Sequence, residues 1–219
     1  MKTNRNEFIY VVLIKALTGL GGFARKFGNY EYTHIAVACD RSKNDFVTFS
    51  RRRHHTPFDA GFMHEKAEYY AFGKHKRVKI KMFAIPVTAE AKEKIEHYIA
   101  EIEKDRDYIF NLYSMVSMPL LHGFRIYKAH NCMSFTAKIV ELSGAVELSK
   151  PYYKYNIREL DSLLHDFFRK EGYLYKRKES KAYMKNPGLL YNIVKFAQLN
   201  GKLIYRMIFR KKETGDTNE

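Results

Sequence analysis

Residues 8–14 restrict the fold of this chain more than any other segment. All seven are apolar, and most are β-branched or aromatic. A strand that is apolar on both sides needs cover on both faces, so it belongs in the middle of a sheet. Lys15 ends the run well short of the roughly 20 residues of a membrane span, and no convincing cleavage site for a signal peptide follows. We therefore predict a central strand.

A β-hairpin is predicted next. Residues 33–39 and 45–51 are rich in β-branched and aromatic side chains, and residues 40–44 between them carry turn-forming Asp, Ser and Asn. His34 lies at the open end of this hairpin. Ala36 shares its face of the strand, and so small a side chain leaves room for a helix end to pack close.

Other segments add helices and strands in mixed order. A strand is predicted over residues 78–85 and is expected to end at residues 86–88. An amphipathic helix capped by Thr88 is predicted over residues 89–104. Asn156 is expected to cap a helix over 157–170. The remaining expectations are turns at 18–22 and 57–62, a short helix at 23–27, a short helix and loop at 108–123, a strand at 173–175, a helix at 189–199, and a strand or amphipathic element at 203–209. The fold class is α+β, with an antiparallel sheet packed against helices.

Composition and charge limit the functional classes. The 219 residues carry a net charge of +15, a field that attracts phosphates, anionic lipid head groups and acidic polymers. Two cysteines make no disulfide framework, so we expect a cytoplasmic protein. The glycines at 18–22 lack the Lys-Ser/Thr of a phosphate loop. The basic tract at 51–55 fits a solvated loop better than an anion or metal site, because no Cys or carboxylate stands at ligand spacing, and we predict no metal or cofactor.

Residues 130–144 are expected to form a loop that delivers Cys132 to the first turn of a helix. Phe135, Ile139 and Leu142 follow one another at helical spacing, and Gly144 suits a left-handed C-cap. Unpaired N–H groups and the positive end of the helix dipole favour a thiolate at such a position. The alternative is that Cys132 is a small buried apolar residue, which is the commoner role of a lone cysteine. Cys39, within an apolar strand, is predicted to be structural.

A resemblance to a known family favours the reactive role. The segment THIAVA at 33–38, followed much later by NCMSFTA at 131–137, resembles the circularly permuted branch of the NlpC-type, papain-like cysteine peptidase and amidase superfamily. Lecithin retinol acyltransferase-like enzymes belong to this branch, in which the histidine strand precedes the cysteine helix. The likeness extends over roughly residues 8–170 and does not cover the C-terminal fifty or so.

The resemblance implies a papain-like fold in which Cys132 is the nucleophile and His34 the general base. Family members place a third polar residue on the strand after the histidine, where this chain has Thr48 and Ser50. We choose Thr48, with Ser50 and Glu65 as the alternatives. The implied domains are a catalytic domain over 1–170, a basic, aromatic-rich extension over 171–210 packed on it, and a disordered tail over 211–219.

Two functions therefore compete. The first is a thiol hydrolase or acyltransferase acting on a peptide, another amide or a lipid acyl group through an acyl-enzyme. The second is a catalytically idle binding module whose basic surface contacts nucleic acid or an anionic membrane. The sequence does not choose a substrate, an acyl acceptor or an oligomeric state.

Overall fold

The computed structural model describes residues 7–16, 30–39 and 45–210. The predicted turns at 18–22 and 40–44, the short helix at 23–27 and the tail at 211–219 lie outside these residues. Eight strands are described: β1 (Glu7–Ile14), β2 (His34–Ala38), β3 (Asp45–Arg51), β4 (Ala60–Lys66), β5 (Arg77–Val87), β6 (Ile109–Phe110), β7 (Ala129–His130) and β8 (Phe168–Tyr175). The helices are α1 (Ala89–Lys104), α2 (Leu112–Leu121), α3 (Cys132–Leu142), α4 (Ile157–Leu163), α5 (Lys181–Met184) and α6 (Leu189–Phe209).

Six strands form one antiparallel sheet in the order β4-β3-β2-β1-β5-β8. β1 is central, as its apolar run predicts, and β2 and β3 form the predicted antiparallel pair. The two short strands β6 and β7 pair in parallel beside the sheet. The α+β class is therefore confirmed.

Both faces of β1 are buried. Ile9, Val11 and Leu13 lie in the larger apolar cluster, which also contains Phe135 and Ile139 of α3 and Ile95 of α1. The alternate residues of β1 lie in a smaller cluster on the opposite face, together with Ala36 and Tyr70. Ala36 thus lies in the cluster that contains Tyr70 of the segment after β4, and the body of α3 packs on the other face.

The caps predicted at Thr88, Asn156 and Gly144 are present, and the structure adds a cap at Asn131 that was not predicted. The Thr88 hydroxyl accepts a hydrogen bond from Ala91 N at 3.1 Å at the start of α1. Asn131 and Asn156 begin α3 and α4 with the same capping box. Gly144, which follows α3, has a φ of +58°, the left-handed conformation predicted for it.

Several boundaries differ from the predictions. Residues 57–62 were expected to be only a turn, but β4 begins within them, at Ala60. β5 continues through Pro86 to Val87. α4 ends at Leu163 instead of 170, because the chain then joins β5 as the edge strand β8. β8 contains residues on both sides of position 170, where the domain boundary was expected. Residues 189–209, expected to be a helix and a separate element, form the single helix α6.

Candidate active site

Cys132 is the first residue of α3. The side-chain oxygen of Asn131 accepts from Ser134 N at 2.9 Å, and Ser134 Oγ accepts from Asn131 N at 3.1 Å. This box fixes the first turn and therefore the direction of the thiol. The N–H groups of a first turn have no partner within the helix, and with the helix dipole they favour negative charge on Cys132 and on any oxygen beside it.

Cys132 and His34 meet, although 98 positions separate them in the sequence (132 − 34). Their side chains are hydrogen-bonded, and both line the same cavity. His34 is the first residue of β2, so the start of this strand lies against the N-terminus of α3. The structure thus brings together the two residues that the sequence analysis paired.

Glu65 holds the other side of the imidazole. His34 Nε2 lies 2.8 Å from Glu65 Oε2, and only 13% and 4% of the two side chains are exposed. Because Nε2 faces the carboxylate, Nδ1 is the ring nitrogen left for the thiol. Ser50 Oγ donates to Glu65 Oε1 at 2.5 Å, and the Tyr70 hydroxyl donates to Oε2. The carboxylate is therefore fixed by three partners.

The proton affinities of this group follow from its charges. Burial alone would lower the pKa of His34, but the charge of Glu65 and the hydrogen bonds to Cys132 and Glu65 outweigh burial and raise it to about 10. Burial would raise the pKa of Glu65, but His34, Ser50 and Tyr70 lower it. At neutral pH the site therefore contains an imidazolium between a carboxylate and a sulfur.

Thr48 is not the third residue of this group. Its hydroxyl donates to Ile35 O at 2.9 Å and is fully buried, so it ties β3 to β2. Glu65, an alternative in the sequence analysis, contacts His34 directly, and Ser50, the other alternative, supports Glu65. The choice of Thr48 was wrong because β4, the strand that carries Glu65, was missed.

The sequence around Glu65 has no polar–apolar alternation, because His64, Glu65 and Lys66 are all polar, and the pattern of β4 becomes visible only in the structure. His64 and Lys66 are exposed on either side of the buried Glu65. Such alternation of burial is typical of a strand with one face inward. A carboxylate at an inward position needs a partner, and a histidine at the end of a nearby strand is the natural one.

A cavity of about 180 Å³ opens beside the thiol. Its walls combine the polar group with apolar and aromatic side chains. Residues that line it include Phe49, Pro57, Tyr69, Phe110, Met115 and Tyr183. Arg51, also in the wall, contacts His54 Nδ1 and the Tyr183 hydroxyl. The cavity can therefore accept a small apolar group next to Cys132.

The other buried histidine has a packing role. His130 is surrounded by aromatic rings, including Phe49, Tyr108 and Phe135. Burial lowers its pKa to about 3, so it is neutral, and it contacts the Tyr98 hydroxyl and Ser134 Oγ. Within residues 7–16, 30–39 and 45–210, no cluster of three or more His, Cys, Asp or Glu side chains could hold a metal ion.

Comparisons with known proteins give no family for this chain: no protein-family model, curated protein or solved structure matches it. Among the helices of the described residues, none combines the length and apolar character needed to cross a membrane.

Proposed function

We propose that this chain is a thiol hydrolase or acyltransferase that cleaves an amide or ester through an acyl-enzyme on Cys132. The observation that carries the proposal is the hydrogen-bonded series Cys132–His34–Glu65 at the wall of a cavity. A thiol at a helix N-terminus, an imidazole that shares its proton and a group that orients the imidazole are the parts that nucleophilic catalysis by cysteine requires. The resemblance to the permuted NlpC-type family supports the same assignment.

The chemistry would run in two stages. The Cys132 thiolate attacks the carbonyl carbon, and the Cys132 N–H at the start of α3 stabilises the resulting oxyanion. The intermediate collapses as His34 gives its proton to the leaving amine or alcohol, which leaves a thioester on Cys132. Neutral His34 then takes a proton from water or another acceptor, which attacks the thioester and releases the acid or the transferred product and the thiolate.

A purely structural role explains the site less well. Burying a charged pair costs free energy that is recovered only with excellent geometry, and apolar residues of similar size often serve stability equally well. Here Ser50 and Tyr70 are also used to hold Glu65. Strongly perturbed groups that line a cavity are typical of functional sites.

The test compares the two thiols of one molecule. Cys132 is only 6% exposed, whereas Cys39 is half-buried, so exposure alone predicts faster alkylation of Cys39. We expect iodoacetamide at pH 6 to modify Cys132 at least about tenfold faster, because Cys132 has an imidazolium and a helix N-terminus beside it. Peptide mass spectrometry measures the two rates.

A second readout follows the covalent step. With p-nitrophenyl acetate we expect a burst of about one p-nitrophenol per chain and an acetyl group on Cys132. Cys132→Ala should lose the burst and Cys39→Ala should keep it. Slower alkylation of Cys132 than of Cys39, together with no burst, would contradict the proposal and leave the idle binding module as the better account.

A further inference from the structure

Helix α6 has an apolar surface on the side that faces away from the domain. Its inner side is fixed by the buried Leu199, Leu203 and Arg206. The outer side carries a stripe of exposed apolar residues at spacings of three and four, interrupted by Gly201, which we call the outer face of α6. It consists of Leu190, Val194, Ala197, Ile204 and Ile208, with Ile193 beside it.

The attachment of α6 to the domain is specific, so the exposed stripe is not the result of a detached helix. The Arg206 guanidinium donates to three backbone oxygens, those of Asp107, Tyr127 and Lys128, at 2.7 to 3.1 Å. The Tyr191 hydroxyl donates to Asp59 at 2.8 Å. These contacts fix the rotation of the helix and direct the outer face into solvent.

Helix α2 extends the apolar surface. The Tyr113 hydroxyl donates to Asn200 Oδ1 at 2.7 Å, which joins α2 to α6. Val116 and Leu120 follow Tyr113 by three and seven residues, so they lie on the same side of α2 as this contact. They are 63% and 83% exposed, values comparable with the 76% of Leu190. Exposed apolar surface of this extent is typical of an interaction site.

The charge of the segment indicates what covers this surface. Residues 180–210 contain six Lys or Arg and no Asp or Glu. Lys202 is exposed on the flank of α6, and Lys181 and Lys185 are exposed just before the helix, whereas Lys195 Nζ lies 4.0 Å from Asp59 Oδ1 of the domain. A symmetric dimer would bring this segment of two chains together, with its positive charges near each other and no acid of the segment to neutralise them. An anionic lipid surface accepts both the apolar stripe and the cations.

We propose that α6, together with the exposed end of α2, docks this protein in the plane of an anionic membrane. The apolar side chains enter the head-group boundary, and exposed lysines of the segment, such as Lys202, extend to lipid phosphates. Phe196 of α6 contacts Phe58, which is next to the cavity residue Pro57, and Met115 of α2 lines the cavity. The docked surface would therefore lie beside the cavity that contains Cys132.

The experiment is co-sedimentation with vesicles of phosphatidylcholine, with and without phosphatidylglycerol. We expect binding to the anionic vesicles that weakens as salt is raised, and little binding to the neutral ones. The triple variant Leu190→Gln, Ile204→Gln, Ile208→Gln should weaken binding at least about tenfold, because glutamine keeps helix propensity and removes apolar area. Tyr175→Gln is the matched control, since Tyr175 is also 63% exposed but lies on the edge strand β8; it should bind as the native protein does.

Circular dichroism and the melting temperature establish that the triple variant is folded. Equal vesicle binding by the folded triple variant would overturn the proposal, as would no binding to either vesicle. A dimer that the triple variant dissociates, or binding of an oligonucleotide without binding to vesicles, would assign the surface to another partner and overturn it too. Cys132→Ala should bind vesicles as the native chain does, so this result is independent of whether the thiol is catalytic.

Discussion

The substitution Glu65→Gln separates the charge of the site from its shape. Glutamine has nearly the size of glutamate and can still accept a hydrogen bond from His34. The carboxylate lies 2.8 Å from Nε2. At an effective dielectric constant of about 20, two unit charges at this distance attract by about 6 kcal/mol, which corresponds to about four pKa units. This is comparable with the whole rise in the pKa of His34, from 6.5 to about 10.

Without the carboxylate, burial should dominate the remaining influences on His34, and burial lowers its pKa. We therefore expect the pKa of His34 to fall below about 7 in Glu65→Gln. Cys132 should also lose reactivity toward iodoacetamide at neutral pH, because the neutral imidazole no longer favours the thiolate.

The assay is an NMR titration of the imidazole signals, in parallel with alkylation rates between pH 5 and 9. Glu103→Gln, which removes an exposed carboxylate beside His64, is the control and should leave the titration of His34 unchanged. If native His34 titrates near 6.5, or if Glu65→Gln does not move its titration, the electrostatic account of the site is refuted.

Three further predictions concern the site and its support. Asn131→Ala should destabilise the protein by about 0.5–2 kcal/mol and slow the alkylation of Cys132. The control Asn156→Ala removes the same capping box from α4 and should lower stability by a similar amount without slowing the alkylation of Cys132. Urea unfolding measures the stability, and mass spectrometry measures the alkylation. Phe135→Ala should cost about 3–5 kcal/mol in urea unfolding, because Phe135 is fully buried between α3 and the sheet, and a loss below about 1 kcal/mol would contradict this packing. The stability that His34 contributes should be complete below pH 6.5 and lost as pH rises toward about 10. The stability that Glu65 contributes should be present above about pH 4.5 and lost as pH falls below it. The melting temperatures of the native protein and of the double variant His34→Gln, Glu65→Gln should therefore differ most between pH 4.5 and 6.5 and converge at lower and higher pH.

Local rules were sufficient for most elements of the sheet and for the start of the cysteine helix. The apolar run at 8–14, the Thr88 cap and the helical spacing after Cys132 each depend on neighbours in sequence, and each was found where predicted. Boundaries failed where tertiary pairing decides the conformation. Residues 168–170 continue a helical pattern in the sequence, but pairing with Met82 and Phe83 of β5 makes them part of an edge strand.

The third polar residue could not be found by position alone. Thr48 stands on the strand after the histidine, where the family resemblance directs attention, but its hydroxyl serves the backbone of β2. Glu65 becomes adjacent to His34 only because β4 pairs with β3 and the segment after it brings Tyr70 onto the same carboxylate. Only the structure shows that Glu65 is buried between two exposed residues, and this burial identifies the residue that position in the sequence did not.

The choice of a carboxylate for this role has a consequence for the proposed reaction. A carboxylate keeps His34 protonated at neutral pH, which suits the first stage, when the leaving group needs a proton, and opposes the second, when His34 must accept one. Cys132 is itself among the causes that raise the pKa of His34. A thioester on Cys132 carries no thiolate charge, so its formation removes that contribution and lowers the pKa of His34. The acyl-enzyme would therefore contain a larger fraction of neutral His34, the form that accepts a proton, than the free enzyme does at the same pH. Deacylation should accelerate with pH above neutrality more steeply than acylation does.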